Sequence, residues 1–569
     1  MEKIKKSTKR ENILAEFPSG EIIEAPLGTT AEELARFYTG ENFKALAVLT
    51  EGTLKELTYV PDRDLKMEIL DITSSEGIRI YRRSLAFMFV TAVEELFPEA
   101  EVFIDYTVPF GGYFCKLSAR DNFTREELKK IEDHMRQIVE DDNPIHRVPV
   151  PIEKAKEIFK SRNELDKLCL VDKRGKDTFM MYQLRNRKDA FYGYMLPSTG
   201  YLSCFALVPW EDGFVLQYPR RSQSSCLLET YESPMLTSVF QEYGNWLKVL
   251  GVENVSCINK LIEENNIKET ILVSEALQEQ RIARISGEIF EKRDNVKLVL
   301  IAGPSSSGKT TFSKRLAVQL LAHGVKPFTL EMDRYFVERD KTPLDENGEF
   351  NFETIDALDL ELLNDNLNAL MNGEKVTLPK FDFITGTRKK GHKAHLDENH
   401  IIIAEGIHGL NPKLVSHVRE ESIFRIYISA LTQLNIDRHN RVSTTDSRLI
   451  RRIVRDASQR GASADHTLSM WEKVRAGEKT YIFPFQENAD VMFNSALAYE
   501  MAVLKPLAAP LLHRVKHVSP NSATAKRLLA LLNLIESIPS DMVPENSIIR
   551  EFIGGSILRD YLPGKIMGS

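Results

Sequence analysis

Apolar and polar positions along this chain change rhythm several times, and each change marks a new block. Over residues 1–75 the apolar runs are short and β-like, at 13–17, 22–25, 45–49 and 66–70, around one helical stretch at 30–37. Thr30 stands at an N-cap position with Glu33 at capping-box spacing. This predicts a small α+β unit. Residues 76–225 mix the two periods. A strongly apolar helical stretch covers 85–96, and a second helix lies within 122–140, capped by Thr124 and answered by Glu127. Runs at 102–105 and 112–117 read as strands around a glycine turn. Residues 226–295 carry mostly helical periodicity and read as a bridge. From 296 to 515 apolar runs alternate with helical patterns, the signature of a doubly wound parallel sheet. Residues 516–569 read as helical and then irregular, with no role assigned to them.

One junction in the fourth block carries chemistry. The apolar run 296–302 leads directly into Gly303, Pro304, Ser305, Ser306, Ser307, Gly308, Lys309 and Thr310, and then into a helical start at Thr311. This is G-x-x-x-x-G-K-[ST] with a strand before it and a helix after it. The two glycines let backbone N–H groups converge on phosphate oxygens, and the helix N-terminus adds positive dipole. Lys309 reaches β- and γ-phosphates, and the Thr310 hydroxyl suits Mg²⁺.

Later runs end in acids. Residues 327–332 lead into Asp333, which at a strand end beside the cradle suits a general base for a substrate hydroxyl. An Asp there equally suits a helix cap. Residues 400–404 lead into Glu405, which suits Mg²⁺ or a solvated strand end. Arg448, Arg452 and Arg455 fall on one helical face, with Arg460 beyond. Such a row suits a lid over transferring phosphates, or a solvated or RNA-binding helix. His392, His395 and His408 read as solvated loop histidines.

Composition narrows the setting. The net charge of −7 gives no global pull toward nucleic acid, so any RNA contact would be local. The five cysteines (Cys115, Cys169, Cys204, Cys226 and Cys257) form no C-x-x-C pair, which predicts a reducing, cytoplasmic setting. The charged start lacks the apolar core of a signal peptide, and no apolar run is long enough to span a bilayer.

The segments GPSSSGKTT, EMDRYF, NFETIDALDLELL, LPKFDFITGTR, IIIAEGIHGL and RRIVRDASQRG, in that order, resemble the uridine–cytidine kinase family within the phosphoribulokinase and uridine kinase group. The resemblance implies an ATP-dependent kinase that phosphorylates the 5′-hydroxyl of a nucleoside. It implies Asp333 as base, with Lys309 and Arg455 in the transfer. Residues 303–311 and Arg460 would meet ATP, and Thr310, Glu405 and Asp333 would surround Mg²⁺. Tyr335, Phe352, Phe381 and Phe383 would wall the nucleoside pocket, with Glu353 and Arg452 on the substrate side. Glu353 stands where the family shows Asp, and Gly386 where vertebrate-type members show a pyrimidine-sensing His. Homo-oligomers are common in the family. A phosphoribulokinase-like sugar kinase, or an RNA-associated protein with a nucleotide-sensing P-loop, are the competing readings.

The front half resembles threonyl-tRNA synthetases: a β-grasp TGS-like domain at 1–75, then an editing-type α+β domain at 76–225. The metal ligands of that editing site, H-x-x-x-H and C-x-x-x-H, are replaced by Arg83 with Phe87 and by Phe191 with Met195. A cation and apolar groups hold no zinc, so this block reads as a scaffold, or as a contact for RNA or a regulator.

Overall fold

The computed structural model of the protein describes residues 10–118, 120–171, 177–345, 348–382 and 385–563. It is a multidomain α/β architecture, and among the described residues no helix is long and apolar enough to cross a membrane.

The first unit is a five-stranded sheet in the order Ile22–Pro26, Asn12–Glu16, Leu65–Leu70, Ala47–Thr50, Thr53–Lys55. Asn12–Glu16 and Leu65–Leu70 run parallel, and the other pairs are antiparallel. Helix Ala31–Thr39 packs on it, with the Thr30–Glu33 capping box in place. Next comes helix Ser75–Leu96, which begins at Ser75 rather than at the apolar run near 85 because Ser74 caps the Gly77 amide. It packs with helix Arg125–Glu140, whose Thr124–Glu127 capping box is also formed, against a four-stranded antiparallel sheet. A three-stranded sheet, Arg187–Asp189, Thr178–Leu184 and Ile145–Pro151, completes this part.

The C-terminal sheet has five parallel strands in the order Lys326–Glu331, His400–Glu405, Leu298–Ala302, Ile423–Ser429, Val491–Asn494. Its strands are apolar on both faces, as a sheet covered on two sides requires. Leu298, Leu300 and Ile402 face one core with Leu330, Leu363 and Leu367. Val299, Ile301 and Ile403 face another with Phe312, Leu316, Ile282, Ile285 and Ile289. The last three belong to helix Ile267–Glu291, so the predicted bridge supplies one covering layer of this sheet. Sequence reading missed the hairpin of Val376–Asp382 and Thr387–Ala394, whose alternation is masked by lysines.

The two halves are closely joined. Tyr106 stacks on Phe240 at 4.3 Å in an apolar cluster that includes Tyr427 and Leu431. The loop between the Ile423–Ser429 strand and helix Thr444–Arg460 reaches into the front half. There Asn435 Nδ2 donates to the Ile104 carbonyl at 2.9 Å, Asn440 Nδ2 to the Ala190 carbonyl at 2.9 Å, and Arg438 pairs with Asp166 at 3.1 Å.

Candidate active site

The phosphate cradle forms where the central strand leaves the core. Leu298–Ala302 is wholly buried, and the chain turns outward at Gly303. A Cβ on Gly303 would stand 2.0 Å from the Ile428 carbonyl oxygen, so the close approach requires glycine. Gly308, at φ +88°, caps helix Lys309–Ala322. Ser306 takes φ +58°, a left-handed conformation that a non-glycine residue holds only under constraint.

Two carboxylates lie against this loop, and neither was foreseen from sequence. Glu478, on helix Ala464–Tyr481, accepts from the Ser305 N–H at 3.0 Å. Glu551, on the short Arg550–Ile553 helix, accepts from the Thr311 N–H at 3.1 Å. The C-terminal segment therefore reaches the cradle. Lys314 Nζ donates to the Leu558 and Arg559 carbonyls at 2.7 and 2.9 Å, and Gln459 donates to the Glu551 carbonyl at 2.6 Å. Lys309 turns inward and donates to the Gly303 and Pro304 carbonyls at 2.9 and 3.1 Å. Burial depresses the Lys309 ammonium, and Glu405 and Glu551 oppose that shift.

Three further carboxyls share the field of Lys309. The Thr310 hydroxyl donates to Glu405 Oε1 at 2.8 Å, which unites two of the predicted metal ligands. Burial lifts Glu405 to about 7; Lys309 and Thr310 pull it down, while Glu551 and Asp333 push it up. Asp333 lies in the turn Met332–Tyr335, open to water yet walled by protein. That enclosure raises its carboxyl, with Lys309 opposing. Glu353 rises to about 7 through burial, with Glu478 adding and Arg452 opposing. The Thr310 hydroxyl in contact with the Glu405 carboxylate, with Asp333 in the same field, forms a hard-oxygen set that fits Mg²⁺.

The arginine row splits. Arg448 is 1% exposed, pairs with Glu478, and donates from Nε to the Ser305 carbonyl at 2.9 Å. It is a buried brace beneath the loop, not a lid residue, because its helix face is packed against the cradle. Arg452 Nη1 donates to Ser305 Oγ at 2.8 Å. Arg455 and Arg460 flank Asp456 at 3.4 and 3.3 Å, so these three arginines stay at the cleft.

The aromatic residues also divide. Tyr335 is 0% exposed within the apolar core, and its hydroxyl accepts from Asn366 at 3.2 Å, so here it is a core residue rather than an open wall. Phe352 is 38% exposed and Phe381 is buried; Phe336, which sequence reading passed over, lies between them at 6.0 and 5.6 Å. Phe383 lies outside the described residues. His392 and His395 are exposed as expected, but His408 is 2% exposed beside Tyr481. Burial lowers its imidazole to about 4 and holds it neutral.

In the front half, Phe87, Phe191 and Met195 pack in one core, with Phe87 and Phe191 rings 5.2 Å apart. Arg83 beside them donates to the Tyr194 carbonyl at 2.5 Å. Among the described residues one acid–histidine group has metal-like spacing: Glu164, Asp189 and His439. The Lys167 ammonium fills it, 2.5 Å from Asp189 and 2.6 Å from His439.

Residues 298–501 match the model of the Phosphoribulokinase / Uridine kinase family. The N-terminal half matches threonine–tRNA ligases. The ligase of Desulforamulus reducens is 32% identical over 191 residues, 33% of this chain and 30% of that protein. That of Symbiobacterium thermophilum is 34% identical over 194 residues, 34% of this chain and 30% of that protein. The chain thus spans under a third of the length of these curated relatives. A solved structure described as a possible uridine kinase from Bacillus stearothermophilus is 21% identical, covers 36% of this chain and all of that one, and has a TM-score of 0.23.

Proposed function

With a Phosphoribulokinase / Uridine kinase family domain in residues 298–501, we propose that this chain is an ATP-dependent nucleoside kinase that moves the γ-phosphate to a 5′-hydroxyl. The observation that carries the reading is the geometry at the Gly303–Thr310 loop, where the Thr310 hydroxyl donates to Glu405 at 2.8 Å and Lys309 lies folded onto the loop, with Asp333 in the same field. The nucleotide's phosphates take the loop amides and the N-terminus of helix Lys309–Ala322, where Glu551 and Glu478 show that anions are accepted. Asp333 accepts the proton of the attacking hydroxyl. An acid raised toward working pH by enclosure suits that task. Lys309 and Arg455 neutralise charge as it develops on the transferred group, Arg452 orients the acceptor, and Arg460 closes from the exposed side. Thr310, Glu405 and Asp333 would hold Mg²⁺, which when bound would supply positive charge against the phosphates.

Phe352, Phe381 and Phe336 form an aromatic group suited to a base. Glu353, in place of the family's Asp, lengthens the acid at the sugar side. A panel of nucleosides, sugars and sugar phosphates, scored by ADP release with MgATP, tests the reading. Turnover confined to nucleosides supports it. Turnover confined to sugar phosphates or sugars moves the assignment to a sugar kinase. No acceptor-dependent ADP release with any panel member removes the transferase reading.

A further inference from the structure

Away from the cradle, arginines gather at the seam between the halves, and two of them, Arg82 and Arg220, have no ion pair among the described residues. Arg82 projects from helix Ser75–Leu96. Its Nε is buried with no hydrogen-bond partner, and its guanidinium lies 4.4 Å over the Tyr218 ring. Arg220 follows strand Gly213–Gln217, and its side chain lies against Gly111. Among the described residues it makes no ion pair. Arg441 comes from the loop that enters from the C-terminal half. It donates to the Asp105 carbonyl at 2.6 Å and to the Thr107 hydroxyl, with Tyr113 at 5.9 Å. The carboxylate of Asp105 is itself engaged by Lys116 at 3.4 Å.

Arg82 lies over Tyr218, Arg220 has Tyr218, Tyr231, Arg82 and Arg475 in its field, and Arg441 has Tyr113, Tyr218, Asp105 and Arg82. Burial lowers Arg220, and Arg82 and Arg475 push it further down, while the tyrosines oppose. Burial lowers Arg441, with Tyr113, Tyr218 and Asp105 opposing and Arg82 adding to the shift. Across the seam, Lys479 is lowered by enclosure and by Arg221, Arg475 and Arg220, with Glu472 opposing. Guanidiniums brought together in partly dry protein repel one another and lose hydration, a cost normally offset by carboxylates. Arg475 has Glu478 and Arg441 has Asp105 in its field, but among the described residues Arg82 and Arg220 make no ion pair, which leaves room for an anion from outside the chain. The planar fork of Arg matches phosphate oxygens in bidentate fashion.

We infer that the seam formed by Arg82, Arg220 and Arg441, with Arg475 at its edge, binds a phosphate-bearing small molecule, a phosphomonoester or diphosphate. The enclosure of Arg82 Nε and the convergence of three elements favour a compact anion. A nucleic acid backbone would call for an exposed basic stripe. Arg475 also donates to Glu478 at 2.7 Å, so the site lies one ion pair from the carboxylate that holds the Ser305 amide.

The test uses the full chain carrying Lys309→Ala, so that the P-loop contributes least, and inorganic pyrophosphate as probe in titration calorimetry. Saturable one-to-one binding is expected, weakened about tenfold or more by Arg220→Gln and by Arg82→Gln. Without pyrophosphate, both variants should melt at or above the parent temperature, since each removes a repelling charge; arginines with a purely structural role would melt lower. Should Arg82→Gln not fold, the less enclosed Arg220→Gln decides. Absent pyrophosphate binding, or binding unchanged by Arg220→Gln, overturns the proposal. So does binding of a short single-stranded RNA without pyrophosphate binding, which would assign the seam to nucleic acid.

Discussion

Arg448 and Arg83 are both guanidiniums enclosed by protein, and they are held in opposite ways. Arg448 meets the carboxylate of Glu478 and a carbonyl of the cradle. Arg83 meets the Tyr194 carbonyl and, among the described residues, makes no ion pair; burial lowers its pKa, with Tyr182, Glu76 and Tyr113 opposing. The first belongs to a site whose charges are matched in pairs. The second occupies a place from which the resemblance says a metal ligand has gone. A retained site shows compensated charge, whereas a vacated one keeps a residue that the surroundings tolerate.

Equal perturbations should therefore give unequal results. Glu478→Gln strands the Arg448 charge and should cost about 3–5 kcal/mol in denaturant unfolding, whereas an Arg448→Met, Glu478→Leu pair should recover much of it. A loss below 1 kcal/mol in the single variant would mean that the pair is not structural. Next in size is the pH response of the cleft. Glu405 is raised from 4.5 to about 7 in the folded protein. Its contribution to stability is thus full below about pH 4.5 and is lost as pH rises through 7, on the order of 3 kcal/mol. Thermal melting without Mg²⁺ should fall from pH 5 to pH 8, and Glu405→Gln should flatten that slope. Mg²⁺ should restore most stability at the alkaline end.

Smaller effects follow at the edges. Glu551 competes with nucleotide phosphates for the Thr311 amide, so Glu551→Gln should tighten MgATP binding severalfold, about 1 kcal/mol, by calorimetry. Weaker binding would make Glu551 part of the nucleotide site instead. Arg83→Met should leave melting unchanged or slightly raised, because a buried cation without an ion pair is removed. A marked loss would show that Arg83 braces the front half.

Much of this was legible locally. The capping boxes at Thr30 and Thr124, the buried strand before Gly303 and the acids at strand ends all rest on near-neighbour spacing, which sequence displays directly. Glu478 and Glu551 were invisible because they reach the cradle from more distant parts of the chain, and nothing in their local context marks them. Tyr335 and His408 looked like site and loop residues, yet packing of the 332–335 turn and the 406–410 segment carries both inward. Arg448 shared a helix face with Arg452, but periodicity cannot say which end of that face is covered.

The central claim is tested most directly by Asp333→Asn, an isosteric change that removes one proton acceptor. Acceptor-dependent ADP release should fall at least about a thousandfold, while MgATP affinity stays within about threefold. Full turnover in this variant, or loss of MgATP binding along with turnover, would contradict the account.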